Sequence, residues 1–349
     1  MSLKNDLTIF FLSITVVYPS KEEIMQTRRI FIQSLSTMAV ASSQWTTALA
    51  QSFPSKPFRI VCPYPPGATT DAISRLMATA LQTTSGATVL VDNRAGAGGN
   101  IGTEAVARSD ADGYTLLLGA LGPLSANEAL YSKLGFKPAQ DFTPLALAAV
   151  VPLIMVAHPS FAANTPAEAV KLLRANPGKY SYASAGNGTP QHLAGELFKQ
   201  LTGTSIVHVP YKGSGPALND VMGGQVELLF EASPAVLQHV KSGRLKALAV
   251  TTRERIAGLP QVPTLKESGI DADIGGWYGF LAPAATPPDR VAWLSEQMRR
   301  ALADPQMQTR LADLGSQKVD TSPQAFARLI EAERARWGKL IRDRGIKLD

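Results

Sequence analysis

The sequence predicts an α/β fold of two domains, each a mainly parallel sheet flanked by helices. Two observations carry this. Short apolar runs alternate along the chain with segments of helical period, which implies parallel strands covered on both faces. The length, 349 residues with 45% hydrophobic side chains, suits about two domains, each with its own core.

The elements follow in order. Phe58-Arg59-Ile60-Val61-Cys62 reads as a strand, broken by Pro63-Tyr64-Pro65-Pro66-Gly67. Thr69 or Thr70 is expected to cap a helix with Ala72, Ile73, Leu76, Met77, Ala80 and Leu81 on one face. Further strands are expected at residues 88–91, 115–118, 153–157, 206–209, 226–230 and 245–250, with helices between most of them. Thr165-Pro166-Ala167-Glu168 has the form of a capping box, with proline at the first helical position. Thr189-Pro190, Gly215-Pro216 and Ser233-Pro234 repeat the cap-then-proline device. Ser322-Pro323 opens a last helix expected to bury Phe326, Leu329, Ile330 and Trp337.

Residues 1–50 read as a targeting segment. Residues 25–50 have a basic start (Arg28, Arg29), an apolar middle and small residues at Ala48 and Ala50, so cleavage is expected after Ala50. Thr27-Arg28-Arg29 resembles a twin-arginine export signal; a general secretory signal with two arginines reads the same way. Met25 is the expected true start. The mature chain is expected to be soluble and exported.

Composition excludes other classes. The net charge of +6 is scattered, which gives no nucleic-acid footprint. One cysteine, Cys62, excludes an internal disulfide and a zinc site built from several thiolates. Gly96-Ala97-Gly98-Gly99-Asn100-Ile101-Gly102 misplaces the third glycine of a dinucleotide fingerprint and reads as a tight turn. Around Ser184, Tyr182 stands where a nucleophile elbow needs glycine. The four histidines lack helical metal-ligand spacing; His192 alone sits at a suggestive loop-to-helix junction. No catalytic residue, metal or cofactor is therefore assigned.

Two helix starts remain: residues 64–71, and 184–190. Each joins a strand to a helix through small, permissive residues with hydroxyls nearby. First-turn N–H groups lack internal partners and sit at the positive end of the helix dipole, so they hold carboxylates without an arginine. Either loop alone reads more simply as a plain helix cap, because caps are common; two at strand ends argue for a ligand site.

These segments, with Asp92–Gly102, Asp112-Gly113-Tyr114-Thr115, His208–Gly213, Val262-Pro263-Thr264 and Trp277-Tyr278-Gly279, run in order along residues 54–349. In that order the chain resembles the tripartite tricarboxylate transporter (Bug-type) receptor family. The resemblance implies a type II-like two-domain periplasmic binding protein, with the ligand in the interdomain cleft. Domain 1 would combine residues 51–156 with 276–349, and domain 2 would be residues 157–275.

By position, the resemblance nominates Tyr64, Gly67, Ala68, Thr70 and Asp71 on one side. Ser184, Gly186, Asn187, Gly188 and Thr189 face them, with Gly122, Ser233 and Trp277 on the cleft walls. The family's frequent Gly-Thr-His is Gly122-Pro123-Leu124 here, which implies a more apolar ligand. The expected role is capture, by a monomer, of a small carboxylate: a dicarboxylate, tricarboxylate, amino acid or aromatic acid. Partners implied are the membrane subunits of such a transporter, or a membrane sensor as the alternative. A periplasmic hydrolase is the third reading, disfavoured because no nucleophile has a placed base.

Overall fold

In the computed structural model the described residues are 53–347, together with Lys21 and Met25. The signal-peptide and cleavage expectations lie outside the described residues. Phe53–Asp349 is one compact unit.

The chain runs β1 (Phe58–Cys62), α1 (Thr69–Ser85), β2 (Val89–Asn93), a 3-10 turn (Ala97–Gly99), α2 (Asn100–Ala107) and β3 (Thr115–Ala120). A π-helical turn (Gly122–Ala126) leads into α3 (Asn127–Leu130) and the long β4 (Phe142–Ala157). Next come α4 (Pro166–Ala175), β5 (Ser181–Ser184), α5 (Pro190–Thr202), β6 (Val207–Pro210) and α6 (Ser214–Met222). They are followed by β7 (Leu228–Ala232), α7 (Ser233–Lys241), β8 (Lys246–Val250) and β9 (Gly275–Pro283). Three helices close the chain: α8 (Pro288–Ala303), α9 (Pro305–Asp313) and α10 (Pro323–Arg344).

The strands form one mixed sheet in the order β2-β1-β3-β9-β4-β7-β5-β6, with β8 also paired to β4. The outer pairs β1–β2, β1–β3, β5–β6 and β5–β7 are parallel, as expected of strand–helix–strand units. The long strands at the centre are antiparallel to their neighbours, so the sheet is mixed where mainly parallel pairing was expected. β4 pairs with β9 from Phe142 to Pro152 and with β7 from Leu153 to Ala157. One continuous strand thus joins two halves of the sheet. Its register slips between Pro144 and Ala146 and between Leu147 and Ala149, the irregularity that lets proline sit in a central strand.

One core cluster runs from Phe58, Leu116 and Phe280 through β4 to Tyr182, Phe198 and Phe230. A second, built on Ile154, Val156, Val221 and Val236, lies in the β5–β8 half. In α1 the buried residues are Thr70, Asp71, Ile73, Ser74, Met77, Ala78 and Leu81, a face rotated from the expected one toward polar side chains of the first turn.

Three caps differ from expectation. Ala68 occupies the α1 cap position without a side-chain bond, leaving Thr69 and Thr70 inside the helix. Gly213 precedes α6, which opens at Ser214, before the expected Gly215-Pro216. Ser233 is the first residue of α7 and Ala232 its cap. Thr165, Thr189 and Ser322 cap as expected, accepting from Glu168, His192 and Ala325 amides at 3.2, 3.5 and 3.2 Å.

Candidate functional site

A cavity of about 490 Å³ opens where the first turns of α1, α5 and α6 converge, beyond the carboxyl ends of β1, β5, β6 and β7. Ligand sites of open α/β sheets occupy this position. Of the nominated residues, Tyr64, Ala68, Thr70, Gly186 and Thr189 line it.

The α1 side offers free donors. Its first helical bond runs from Ala72 N–H to the Ala68 carbonyl, so the Thr69, Thr70 and Asp71 amides precede the helical ladder. The Thr70 hydroxyl is buried without a hydrogen-bond partner. Asp71 supports this loop from inside. Its carboxylate accepts from Gly67 N–H (3.0 Å), Arg75 Nε (3.0 Å) and Asn93 Nδ2 (3.0 Å). Burial pushes that carboxyl up, but the bonds from Arg75, Gly67 and Asn93 outweigh it and hold it below the usual carboxylate range.

The second loop is tied inward instead. Gly186 N–H donates to Ser184 Oγ (3.2 Å), Gly188 N–H to His192 Nδ1 (3.1 Å), and the Thr189 hydroxyl to the Gly186 carbonyl (2.6 Å). Three groups nominated as ligand donors are thereby committed within the chain. His192 and His208 stack at 4.2 Å, and Tyr182 stacks on His208 at 4.9 Å. Burial above all keeps both imidazoles neutral, pushing His192 down to about 4 and His208 to about 3.

Ser184 Oγ lies 2.7 Å from His208 Nε2, so one hydroxyl does have a placed base, contrary to expectation. Ser184 is fully buried and does not line the cavity. The pair braces the loop.

The other nominees lie off the cavity. Trp277 is a core residue, edge-on to Phe326 at 5.6 Å. Ser233 is buried beside Gly315. Gly122 and Gly188 approach each other, and the Asn187 carbonyl faces Gly98. Gly67 adjoins open space.

Sequence reasoning missed much of the wall. The glycine segment read as a turn contributes Ala95 to Gly99, with Ala97 held at φ 47°. Tyr211, Lys212, Gly213 and Ser214 form another side, and Gln191, Glu231 and Tyr278 a third. Lys212, exposed, and Glu231, 1% exposed, are the only charged residues of the lining. Burial pushes the Glu231 carboxyl up, against hydrogen bonds from the Ala232 amide and Gln191. Its signal was an acid closing an apolar strand run just before Ser233-Pro234. Among the described residues no group of three or more His, Cys, Asp or Glu side chains could hold a metal ion.

The tripartite tricarboxylate transporter family receptor profile matches residues 73–346. The chain belongs to that receptor family. It is 37% identical over 301 residues to Protein BugT of Bordetella pertussis, covering 86% of this chain and 92% of the relative. The solved structure of R. palustris Rpa4515 with adipate is 35% identical, with a TM-score of 0.79 over 85% of this chain and all of that one. Periplasmic binding protein BugD is also 35% identical, with a TM-score of 0.76 over the same shares. The receptor family comprises solute-binding proteins, which agrees with a cavity lined by helix starts and a Ser–His pair that has no access to it.

Proposed function

We propose that this receptor captures a small organic carboxylate outside the cytoplasm and delivers it to the membrane subunits of a tripartite tricarboxylate transporter. The carrying observation is the cavity at the α1 start, where unbonded first-turn amides and the unpartnered Thr70 hydroxyl adjoin a wall bearing Lys212. Helix-start amides complement a carboxylate through hydrogen bonds and the dipole together. The adipate carried by the Rpa4515 structure supports the ligand class.

In this reading the two halves of the sheet are domains that hinge at β4 and at the start of β9. Strand pairing changes partner between Pro152 and Leu153, upstream of the boundary expected after residue 156, and β9 pairing begins at Gly275. The basic, apolar and small-residue pattern of residues 25–50 supports export, with Gln51 as the mature N-terminus.

A thermal-denaturation screen of organic acids tests the function. At about a hundredfold excess over its dissociation constant, a cognate acid stabilises the fold by roughly 2.7 kcal/mol. A protein that no mono-, di- or tricarboxylate stabilises would not be this receptor.

A further inference from the structure

Resting on that reading, we propose that Glu231 and Gln191 form the selectivity end of the cavity and read a hydrogen-bond-donating substituent, a hydroxyl or ammonium, on the bound carboxylate.

Glu231 ends β7 and is 1% exposed. Its Oε1 accepts from Gln191 Nε2 at 3.0 Å and from the Ala232 amide at 2.8 Å, while its Oε2 is buried with no partner. Gln191, 8% exposed, spends its Nε2 on Glu231 and on Ser214 Oγ at 3.4 Å, and its Oε1 is also buried and unpartnered. Both side chains line the same cavity. Native proteins pair nearly all such atoms, so two orphaned oxygens on one ligand-sized wall mark groups a ligand completes.

The chemistry of those oxygens selects the partner. With Glu231 ionised, both are acceptors, and an ammonium satisfies them together. With Glu231 protonated, the proton sits on Oε2, because Oε1 already takes two N–H donors. A hydroxyl then accepts from Glu231 and donates to Gln191. A methylene satisfies neither oxygen. A second ligand carboxylate would set lone pairs against Gln191 Oε1. Asp71, the acid that the sequence nominated, does not line the cavity, and its two oxygens already take three donors from the chain.

The test is calorimetric titration of the wild-type protein with matched acids: succinate, malate and aspartate; glutarate, 2-hydroxyglutarate and glutamate; adipate, 2-hydroxyadipate and 2-aminoadipate. On the best-fitting skeleton the hydroxy or amino acid binds about tenfold or more tightly than its parent. Gln191→Leu and Glu231→Leu each bring that ratio, taken within the variant, toward one. Should Glu231→Leu not fold, the wild-type ratio and Gln191→Leu decide. A parent acid that binds as tightly as its substituted relatives overturns this proposal and leaves the receptor reading intact. If none of the nine acids binds, this proposal falls, and the wider screen of mono- and tricarboxylates decides the receptor reading.

Discussion

Gly122 and Gly188 meet across the two halves of the sheet: a β-carbon on Gly122 would lie 2.8 Å from the Gly188 carbonyl oxygen. Gly122 opens the π-helical turn after β3, and Gly188 belongs to the loop between β5 and α5. Gly98 and the Asn187 carbonyl repeat the approach, at 2.9 Å for a β-carbon on Gly98. Gly122, Asn187 and Gly188, all nominated as ligand contacts, also pack the two halves of the sheet against each other.

Gly122→Ala follows directly. Gly122 has no positive φ, so only the close approach excludes a methyl group. The variant is expected to lose about tenfold or more in ligand affinity, about 1.4 kcal/mol, by obstructing closure. Its unliganded stability to urea should match the wild type or rise by about 0.4–1 kcal/mol, because alanine restricts the unfolded chain. Titration and urea melts check both; an affinity equal to the wild type would remove the contact from the binding mechanism.

Asp71→Asn is expected to act on the fold. The substitution removes the charge from a carboxylate that takes three hydrogen bonds, one from the Gly67 amide. Stability should fall by about 1–2 kcal/mol. Affinity for amino and non-amino acids should shift together, measured as the ratio of aspartate to succinate dissociation constants. A loss confined to amino acids would place Asp71 on the ligand.

Acid should loosen the second loop. His192 and His208 are held at about 4 and about 3 when folded, below the usual 6.5, chiefly by burial. Between those limits the unfolded chain binds more protons, so their contribution is full above about 6.5 and lost as pH falls toward 4 and 3. Protonating His192 also turns the acceptor of the Gly188 amide into a donor. The buried Glu231 and Glu333 carboxyls, pushed up, work in the opposite direction, so the comparison is with His192→Asn, which keeps an acceptor without titrating. Its urea midpoint should drop less between pH 7 and pH 5 than that of the wild type; equal drops would exclude His192 as the titrating group.

Much of this was legible in the sequence. The first strand, the helix starts at Thr165, Thr189 and Ser322, and the family motifs all read correctly, because cap chemistry and apolar period are local. β4 was read only over residues 153–157, because Pro144 and Pro152 break the strand pattern; Pro144 sits at a register slip against β9, and Pro152 where pairing passes from β9 to β7. β9 was missed because Gly275, Gly276 and Gly279 lower strand propensity; Gly279 is required by Phe326 packed against it. In the site, hydroxyl and glycine patterns located the loops. They did not reveal which N–H groups were already spent, since the acceptors, Ser184 Oγ and His192 Nδ1, are chosen by folded geometry. Glu231 and Gln191 come from different elements and meet only in three dimensions.

The most direct test of helix-start capture is calorimetric titration of one cognate carboxylate into the wild type, Thr70→Val and Lys212→Ala. Thr70→Val keeps the shape and removes the unpartnered hydroxyl beside the α1 amides. We expect one acid bound per chain, affinity reduced by about 1.5–3 kcal/mol in Thr70→Val, as for a hydrogen bond to a charged group. Lys212→Ala, losing an exposed charge, should change affinity by less than about 1 kcal/mol. Binding abolished by Lys212→Ala and untouched by Thr70→Val would contradict the account and put a salt-bridge clamp in place of the helix start.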